Sequence, residues 1–533
     1  MSILVSGIRL PLESEEEEAL KKAMDRVSVS KDSVLSASVY RRSVDARHGK
    51  ITKVYSVLLD IPGLEDAVLS ETGGTDVRRK AEPFRAAPTG TKTLSAPPVI
   101  VGFGPAGIFA GLVLSKNGYR PVILEKGPEL KSRDRSVAAF FDGGPLDEDA
   151  NVQFGEGGAG AYSDGKLTTR ISDERCEYVL AELFGHGAPP EILRNAKPHI
   201  GTDLLKNVIK SIRQEILTFG GEIRFHSEVR DFLINRSKLF AVKTDDETIP
   251  CETAVLAIGH SARPTFVRLM NAGVLLMQKS FAVGVRIEHR QEAVDRAMYG
   301  KYAGHPMLPP AEYALTSRQN GRPCYTFCMC PGGSVVAAAS EGDSVVVNGM
   351  SMHKRNGENA NSAVVVAVSP EDFPSEDPMA GVAFQREIER TAFKLCGGDY
   401  KAPCQLVGDF LRGVAPIRFG SVAPTYPRGV TLCDLSAVFP GFVVDALRPS
   451  LIEFDHKLKG FASEDSLLTA PETRTSSPVR IVRQPETLEC VSVSGLIPCG
   501  EGAGYAGGIM SAAVDGIRAA ERIMAEYKPI ISV

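Results

Sequence analysis

The sequence predicts an α/β chain in three parts. A small N-terminal α+β domain comes first, then a discontinuous nucleotide-binding domain around a parallel sheet, with a mixed α+β domain inserted into it. Three observations carry this. A strand–turn–helix–strand pattern with glycines at 102, 104 and 107 begins near residue 99. A second strand, glycine-rich loop and helix occupy the far C-terminal end, over residues 491–526. Between about 281 and 480 the texture changes to alternating apolar segments interrupted by two helical patterns.

In chain order, residues 3–10 alternate like a strand. Residues 15–27 follow helical spacing, with Ser14 as a cap and acids in the first turn. Residues 35–42 and 52–60 alternate around a turn at His48-Gly49. Polar residues 72–98, with Gly73, Gly74 and several prolines, read as a linker. Residues 1–88 form the first domain. The nucleotide-binding domain starts at 97–275: a buried strand at 98–101, a helix at 108–117, and a second strand at 121–124 that ends at Glu125. Residues 202–219 make an amphipathic helix, and four short strand-like segments between 223 and 258 resemble a β-meander set into the parallel sheet. Residues 276–485 are the inserted mixed domain, expected to cap a substrate. Residues 486–533, with the last strand and a helix over 507–526, complete the nucleotide-binding domain.

Composition narrows the function. With 533 residues the chain can bury a large core and needs no disulfide or metal staple. The formal net charge of −4 lacks the basic excess of a protein that grips nucleic-acid backbone, so no nucleic-acid partner is expected. No run approaches the roughly 18 apolar residues of a membrane span. The ten cysteines are scattered through apolar runs, as suits a reducing compartment. The early acidic run Glu15–Glu18 is unlike a secretory or transit segment, and the sequence predicts a cytoplasmic protein.

Gly102-x-Gly104-x-x-Gly107 is the strongest motif. Its first glycine permits a tight turn, its second lets backbone amides approach a pyrophosphate, and its third lets the helix pack on the strand. The helix N-terminus then offers unpaired N–H groups to the phosphates. Glu125 can accept from adenosine ribose hydroxyls. A Rossmann-like dinucleotide site follows. The C-terminal loop from Cys499 to Gly508 selects FAD over NAD: its helix would point at the flavin pyrimidine edge, where negative charge develops on reduction. An enzyme that binds only NAD has no use for such a second element. Gly155-x-Gly157-x-x-Gly160 has the same spacing but no preceding apolar strand, so it is not a second nucleotide site. NAD(P)H, as a transient electron donor, would bind without a Rossmann unit of its own.

These motifs, with residues 38–47, 160–167, 327–333 and 473–478, resemble the uncharacterised FAD-dependent dehydrogenases, also called NAD(FAD)-utilizing dehydrogenase-like proteins. That family looks like part of the glutathione reductase/p-hydroxybenzoate hydroxylase flavoprotein superfamily. The resemblance covers nearly the whole chain and implies FAD and redox chemistry without naming a substrate. It implies that the loop from Gly157 to Lys166 lies near the isoalloxazine and pyrophosphate. The expected cofactor-binding set is Gly102, Gly104, Pro105, Ala106, Gly107, Glu125, Lys126, Gly157, Gly158, Gly160, Ser163, Asp164, Gly165, Lys166, Val229, Gly259, Gly500, Glu501, Gly507, Gly508 and Ile509.

Catalytic residues are less marked. In a regular strand Cys328 and Cys330 share one face about 7 Å apart, too far for a disulfide without a bend. Structural thiols, flavin-proximal redox thiols and a metal site all stay open for them, although no fourth ligand lies near and no metal is expected. His353, in a polar loop, is a candidate for an acid/base or anion-binding role. Arg474 and Arg480 flank a Thr/Ser-rich turn before the last strand, which makes one of them a candidate for binding a carboxylate. The sequence thus predicts an FAD-dependent oxidoreductase carrying out hydride transfer at flavin N5 on a small-molecule substrate, anionic if the arginines are used. A flavin-dependent nucleic-acid modification enzyme and a non-catalytic FAD-binding scaffold are the alternatives.

Overall fold

The computed structural model describes residues 2–72 and 74–530, so Gly73 of the expected linker lies outside the described residues. The chain opens with a four-stranded antiparallel sheet in the order Ser36–Asp45, Thr52–Asp60, Ser2–Pro11, Val77–Arg79. Alternation sends Ile3, Val5, Tyr55, Val57 and Leu59 to one face, where Ala19 and Ala23 of the Glu16–Arg26 helix close the core. Two local expectations change. Val77–Arg79, inside the expected linker, pairs with Ile3–Val5; three residues at a sheet edge are too few to show alternation. Glu15, not Ser14, occupies the N-cap, and no side chain caps that helix.

The second sheet is parallel, with strands in the order Leu496–Pro498, Ala254–Leu256, Val99–Val101, Val122–Leu124, Glu222–Arg224. The strand from the C-terminal end therefore lies beside strands from the first third of the domain. The fold is the Rossmann-like α/β class the sequence indicates. Pro105–Lys116, Thr202–Thr218 and Ile509–Glu526 cover one face through Ile108, Leu112, Ile209, Ile212, Val514 and Ile517. Residues 106–115 of the first helix are all buried, because the neighbouring helices pack around it on the sheet. The antiparallel meander Asp231–Asn235, Lys238–Lys243, Thr248–Pro250 covers the other face. All five parallel strands are three residues long, and their C-terminal ends point toward the glycine loops.

The inserted domain is built on a seven-stranded sheet in the order Thr316–Gln319, Arg322–Cys330, Asn359–Val368, Phe281–Arg290, Leu467–Glu472, Ala402–Leu406, Val430–Leu432. Phe281–Arg290 and Asn359–Val368 pair over their full length, and the helices Ala380–Leu395 and Gly441–Lys457 pack on this sheet. Leu276–Gln278 pairs with Val479–Ile481, so the chain enters and leaves the insert at one place. Among the described residues no helix is long and apolar enough to cross a membrane.

Candidate functional site

The motif glycines divide by task. Gly102 turns the chain with φ +103°, and a Cβ on Gly107 would lie 2.0 Å from the Gly102 carbonyl oxygen; both serve the turn itself. Gly104 differs. Its backbone, φ −83° and ψ −173°, suits any residue, and a Cβ there would meet only Gly158 Cα, at 3.8 Å. Space is open at other glycines too: nothing lies within 4 Å of where a Cβ would sit on Gly259, just after the Ala254–Leu256 strand, or on Gly507 and Gly508 of the C-terminal loop.

These open positions surround two helix ends. Pro105–Lys116 starts at Gly104 and Ile509–Glu526 starts at Gly508, and neither has a side-chain cap. A Cβ placed on Gly160 would be 3.5 Å from Pro105 and 3.3 Å from Ile509, so both N-termini converge on the loop holding Gly157, Gly158 and Gly160. Two sets of helix N-terminal N–H groups and two positive dipole ends, spaced by glycines, suit a diphosphate. The second loop is held in place: Gly500 N donates to Asp515 at 2.7 Å, and Arg483 clamps that carboxylate at 2.8 and 3.0 Å. Gly500 also packs against Ala106, where a Cβ would come within 2.9 Å of the alanine methyl. The residues present fit FAD in this respect.

A shallow cleft continues from Gly102 and is lined by Glu125, Lys126, Val229, Ile258 and Thr265. Glu125 is buried, and its carboxylate accepts from Phe103 N (2.8 Å), Gly127 N (2.9 Å) and Gly155 N (3.0 Å). Of roughly four acceptor positions on a carboxylate, one stays free for a ribose hydroxyl. Glu125 has a task that the sequence did not indicate: it ties the Gly102–Gly107 turn to the loop at Gly155. Lys126 reaches Asp149 at 2.9 Å and lies over the Phe154 ring.

Toward the inserted domain, the next loop departs from expectation. Asp164 is buried, and its carboxylate is held by Arg355, Ser351 and Lys166, the last at 3.2 Å. Burial would raise this carboxyl; Lys166 and Arg355 outweigh it and hold it below the usual carboxylate range. Lys166 pairs in addition with Glu312 at 3.2 Å. The side chains of Asp164 and Lys166 therefore fasten the loop to the insert, leaving Ser163 and Gly165 as its turn: Ser163 Oγ donates to Gly160 O at 2.8 Å and accepts from Gly165 N at 3.1 Å.

The catalytic candidates separate. His353 packs against the start of the Thr202–Thr218 helix; its Nδ1 lies 3.0 Å from Ile200 O and its ring stacks on His199. Arg474 is not a free carboxylate binder. Its guanidinium pairs with the buried Glu389 and donates to Ser261 and Ser340, and Arg263 holds Glu389 from the other side at 2.8 Å. Arg480 is exposed, donates to Gly504 O at 3.3 Å and lies over the Tyr505 ring. Cys328 and Cys330 are not in a regular strand. The register shifts between Phe327 and Cys330, so Cys328 lies within a bulge, and it has φ +44°. The expected 7 Å spacing is therefore replaced by a bend.

Two side chains missed in the sequence, Lys279 and His260, stand beside the cradle, and a third, Arg286, lies on the inserted sheet. Among the described residues Lys279 forms no ion pair; its ammonium donates to Ser476 Oγ at 3.1 Å while its stem lies against Gly504. Burial, with Arg480 nearby, pulls it below its ordinary value, and Glu501 works the other way. His260 follows Gly259 at the C-terminal edge of the parallel sheet, where burial and then Arg474 and Arg263 push it down to about 3, so it is neutral. That edge is where open α/β sheets bind ligands, and this rule was the available signal for His260. Arg286 is fully buried on the inserted sheet and pairs with Glu472 at 2.6 Å. Glu501 itself is pushed up to about 7 by burial, against Lys279.

Residues 280–475 match the family described as FAD-dependent protein, C-terminal domain-like, and residues 2–60 match a domain of unknown function, DUF8436. Among solved structures, the chain is similar to glycine oxidase from Geobacillus kaustophilus, with 13% identity and a TM-score of 0.35 over 82% of this chain and 96% of that one. It is also similar to the glycerol-3-phosphate dehydrogenase from Bacillus halodurans complexed with FAD, with 12% identity and a TM-score of 0.34 over 83% and 66%. At these TM-scores the likeness adds no weight to the reading of the site. A protein of Clostridium beijerinckii described as uncharacterized is 47% identical over 530 residues, 99% of both chains. The chain belongs to the family of that protein, a family of FAD-dependent proteins.

Proposed function

We propose that the chain is an FAD-dependent oxidoreductase, a dehydrogenase acting on a small anionic substrate held between the cofactor cradle and the inserted sheet. The observation that carries this is the convergence of two uncapped helix N-termini on Gly160, among glycines whose missing side chains leave open space. Bound FAD supplies two-electron hydride transfer at N5. Gly104 and the Pro105–Lys116 N-terminus bind the diphosphate, and Glu125 takes the adenosine ribose. The Ile509–Glu526 N-terminus and Lys279 put positive charge where reduction builds negative charge. Lys279, a cation at the cradle with no ion-pair partner among the described residues, is also the group that favours an anionic substrate. The inserted sheet limits water access. NAD(P)H, if it donates electrons, does so as a transient visitor to the same face. All ten cysteines are free, which suits work in the cytoplasm.

The test is an anaerobic stopped-flow screen of flavin absorbance with NADH, NADPH and a panel of small carboxylates. Saturable bleaching by one of them supports the proposal. FAD-loaded protein that none of them bleaches, at any pH where it is folded, contradicts it.

A further inference from the structure

The bend at Cys328 has a chemical consequence. Phe327 pairs with Ala363 and Cys330 with Asn361, so three steps on one strand face two on its neighbour. Such a bulge shortens the path along the strand and re-aims a side chain. Cys328 holds φ +44°, a left-handed backbone that non-glycine residues seldom adopt. The two thiols, which would stand about 7 Å apart in a regular strand, are brought near enough by the bend to act on each other's ionisation. Cys330 Sγ also lies 3.3 Å from the Cys328 carbonyl oxygen.

The pair is asymmetric. Cys330 has no exposed surface, whereas Cys328 is partly exposed. Arg286 donates to the Cys328 carbonyl at 3.2 Å, and Lys166, on the loop facing the bulge, acts on both sulfurs. Asp164 and Glu501 face the same place with opposite effect. The neighbouring Cys330 thiol, together with Arg286 and Lys166, overcomes burial and holds the Cys328 thiol below its ordinary value, while Cys330 is pushed up. One sulfur is thus reachable and disposed to be a thiolate; the other is buried beside it and keeps its proton. That is the division between an attacking and a resolving thiol.

We propose that Cys328 and Cys330 form a redox-active dithiol that reduces a small disulfide at the edge of the cofactor cradle. The Cys328 thiolate attacks one sulfur of the disulfide, the S–S bond breaks, and one thiolate leaves and takes up a proton. Cys330 then gives up its proton and attacks the Cys328 sulfur, and the mixed disulfide breaks to release the second thiol. The two cysteines end as one disulfide, and the small disulfide ends as two thiols. The exchange takes no electrons from FAD, so its test is independent of the flavin reading.

The experiment treats prereduced, desalted holoenzyme with hydroxyethyl disulfide, traps remaining thiols with iodoacetamide and maps the peptides. In the wild type we expect loss of two of the ten thiols as a Cys328–Cys330 link without adduct. Cys330→Ser should stop at a mercaptoethanol adduct on Cys328, and Cys328→Ser should leave Cys330 unmodified. Mapping scores Cys396 and Cys433, whose thiols also interact, separately. Wild-type protein in which Cys328 and Cys330 are both fully alkylated, or in which a Cys328 adduct persists as it does in Cys330→Ser, overturns the proposal. If either serine variant fails to fold, the wild-type map alone decides.

Discussion

Two alanine substitutions three residues apart should have opposite consequences. In Gly104→Ala the new methyl meets only Gly158 Cα at 3.8 Å, an ordinary contact, and the backbone is already extended. Two small effects on folding then oppose each other. Alanine restricts the unfolded chain, a gain of about 0.4–1 kcal/mol. Alanine is also a poorer N-cap than glycine, a loss of about the same size. Apoprotein stability should therefore stay within about 0.5 kcal/mol of wild type. The methyl does, however, fill the space the diphosphate needs. Loss of one hydrogen bond to a charged group is about 1.5–3 kcal/mol, so FAD affinity should fall at least about ten-fold. In Gly107→Ala the methyl would sit 2.0 Å from a backbone oxygen that cannot swing away. Helix and strand must separate, at about 3 kcal/mol or more, and the apoprotein should melt roughly 6 °C or more below wild type. Thermal scans of both apoproteins at one heating rate, and fluorescence titration with FAD, measure the two effects. A Gly104→Ala protein that binds FAD like wild type, or a Gly107→Ala protein that melts like wild type, refutes the division of tasks among these glycines.

Other consequences can be checked separately. Lys279→Met removes a cation beside the loop at Glu501 and should lower the flavin midpoint potential by tens of millivolts, about 30 mV for each ~1.4 kcal/mol of lost stabilisation, as read by a dye-coupled reductive titration. Glu501 has a folded-state pKa of about 7, above its unfolded value, so stability declines as pH rises from the ordinary glutamate range through 7. Glu501→Gln should remove that decline and exceed the wild-type apoprotein above pH 7.5 by about 1–2 kcal/mol, allowing for partial exposure; parallel melting curves of the two proteins from pH 5 to 8 would show the idea to be wrong. Arg474→Met leaves Arg263 as the remaining cation on Glu389 and should cost about 3 kcal/mol in stability without changing the apparent affinity for any substrate that reduces the flavin, a combination that a substrate-binding arginine would not give.

The parts of this molecule that depend on local pattern were legible in the sequence. Val99–Val101, the glycine turn and Val122–Leu124 announce themselves because a buried βαβ unit is apolar in its strands and restricted to glycine at its turn. The C-terminal strand and helix were legible for the same reason, although their place beside Ala254–Leu256 is a fact of the fold. What the sequence hid depends on distant partners or on irregularity. Arg474 looks free until Glu389, on a helix of the insert, closes on it. Asp164 looks like a cofactor ligand until Arg355 takes its charge. A period-2 reading of Arg322–Cys330 assumes an unbroken strand, and one extra residue in the bulge cancels the spacing argument for Cys328 and Cys330. Lys279 carries no motif and matters only because Gly504 folds back beside it.

The central claim is that the two glycine-lined helix ends hold FAD. Acid release of the cofactor from purified or reconstituted protein, followed by chromatography against FAD, FMN and NAD standards, tests it most directly. With Glu125 proposed to take the adenosine ribose beside the Gly102–Gly107 turn, the account predicts the full dinucleotide, FAD in stoichiometric amount. Recovery of FMN alone, which has no adenosine to place there, or of no flavin after incubation with excess FAD, would contradict it.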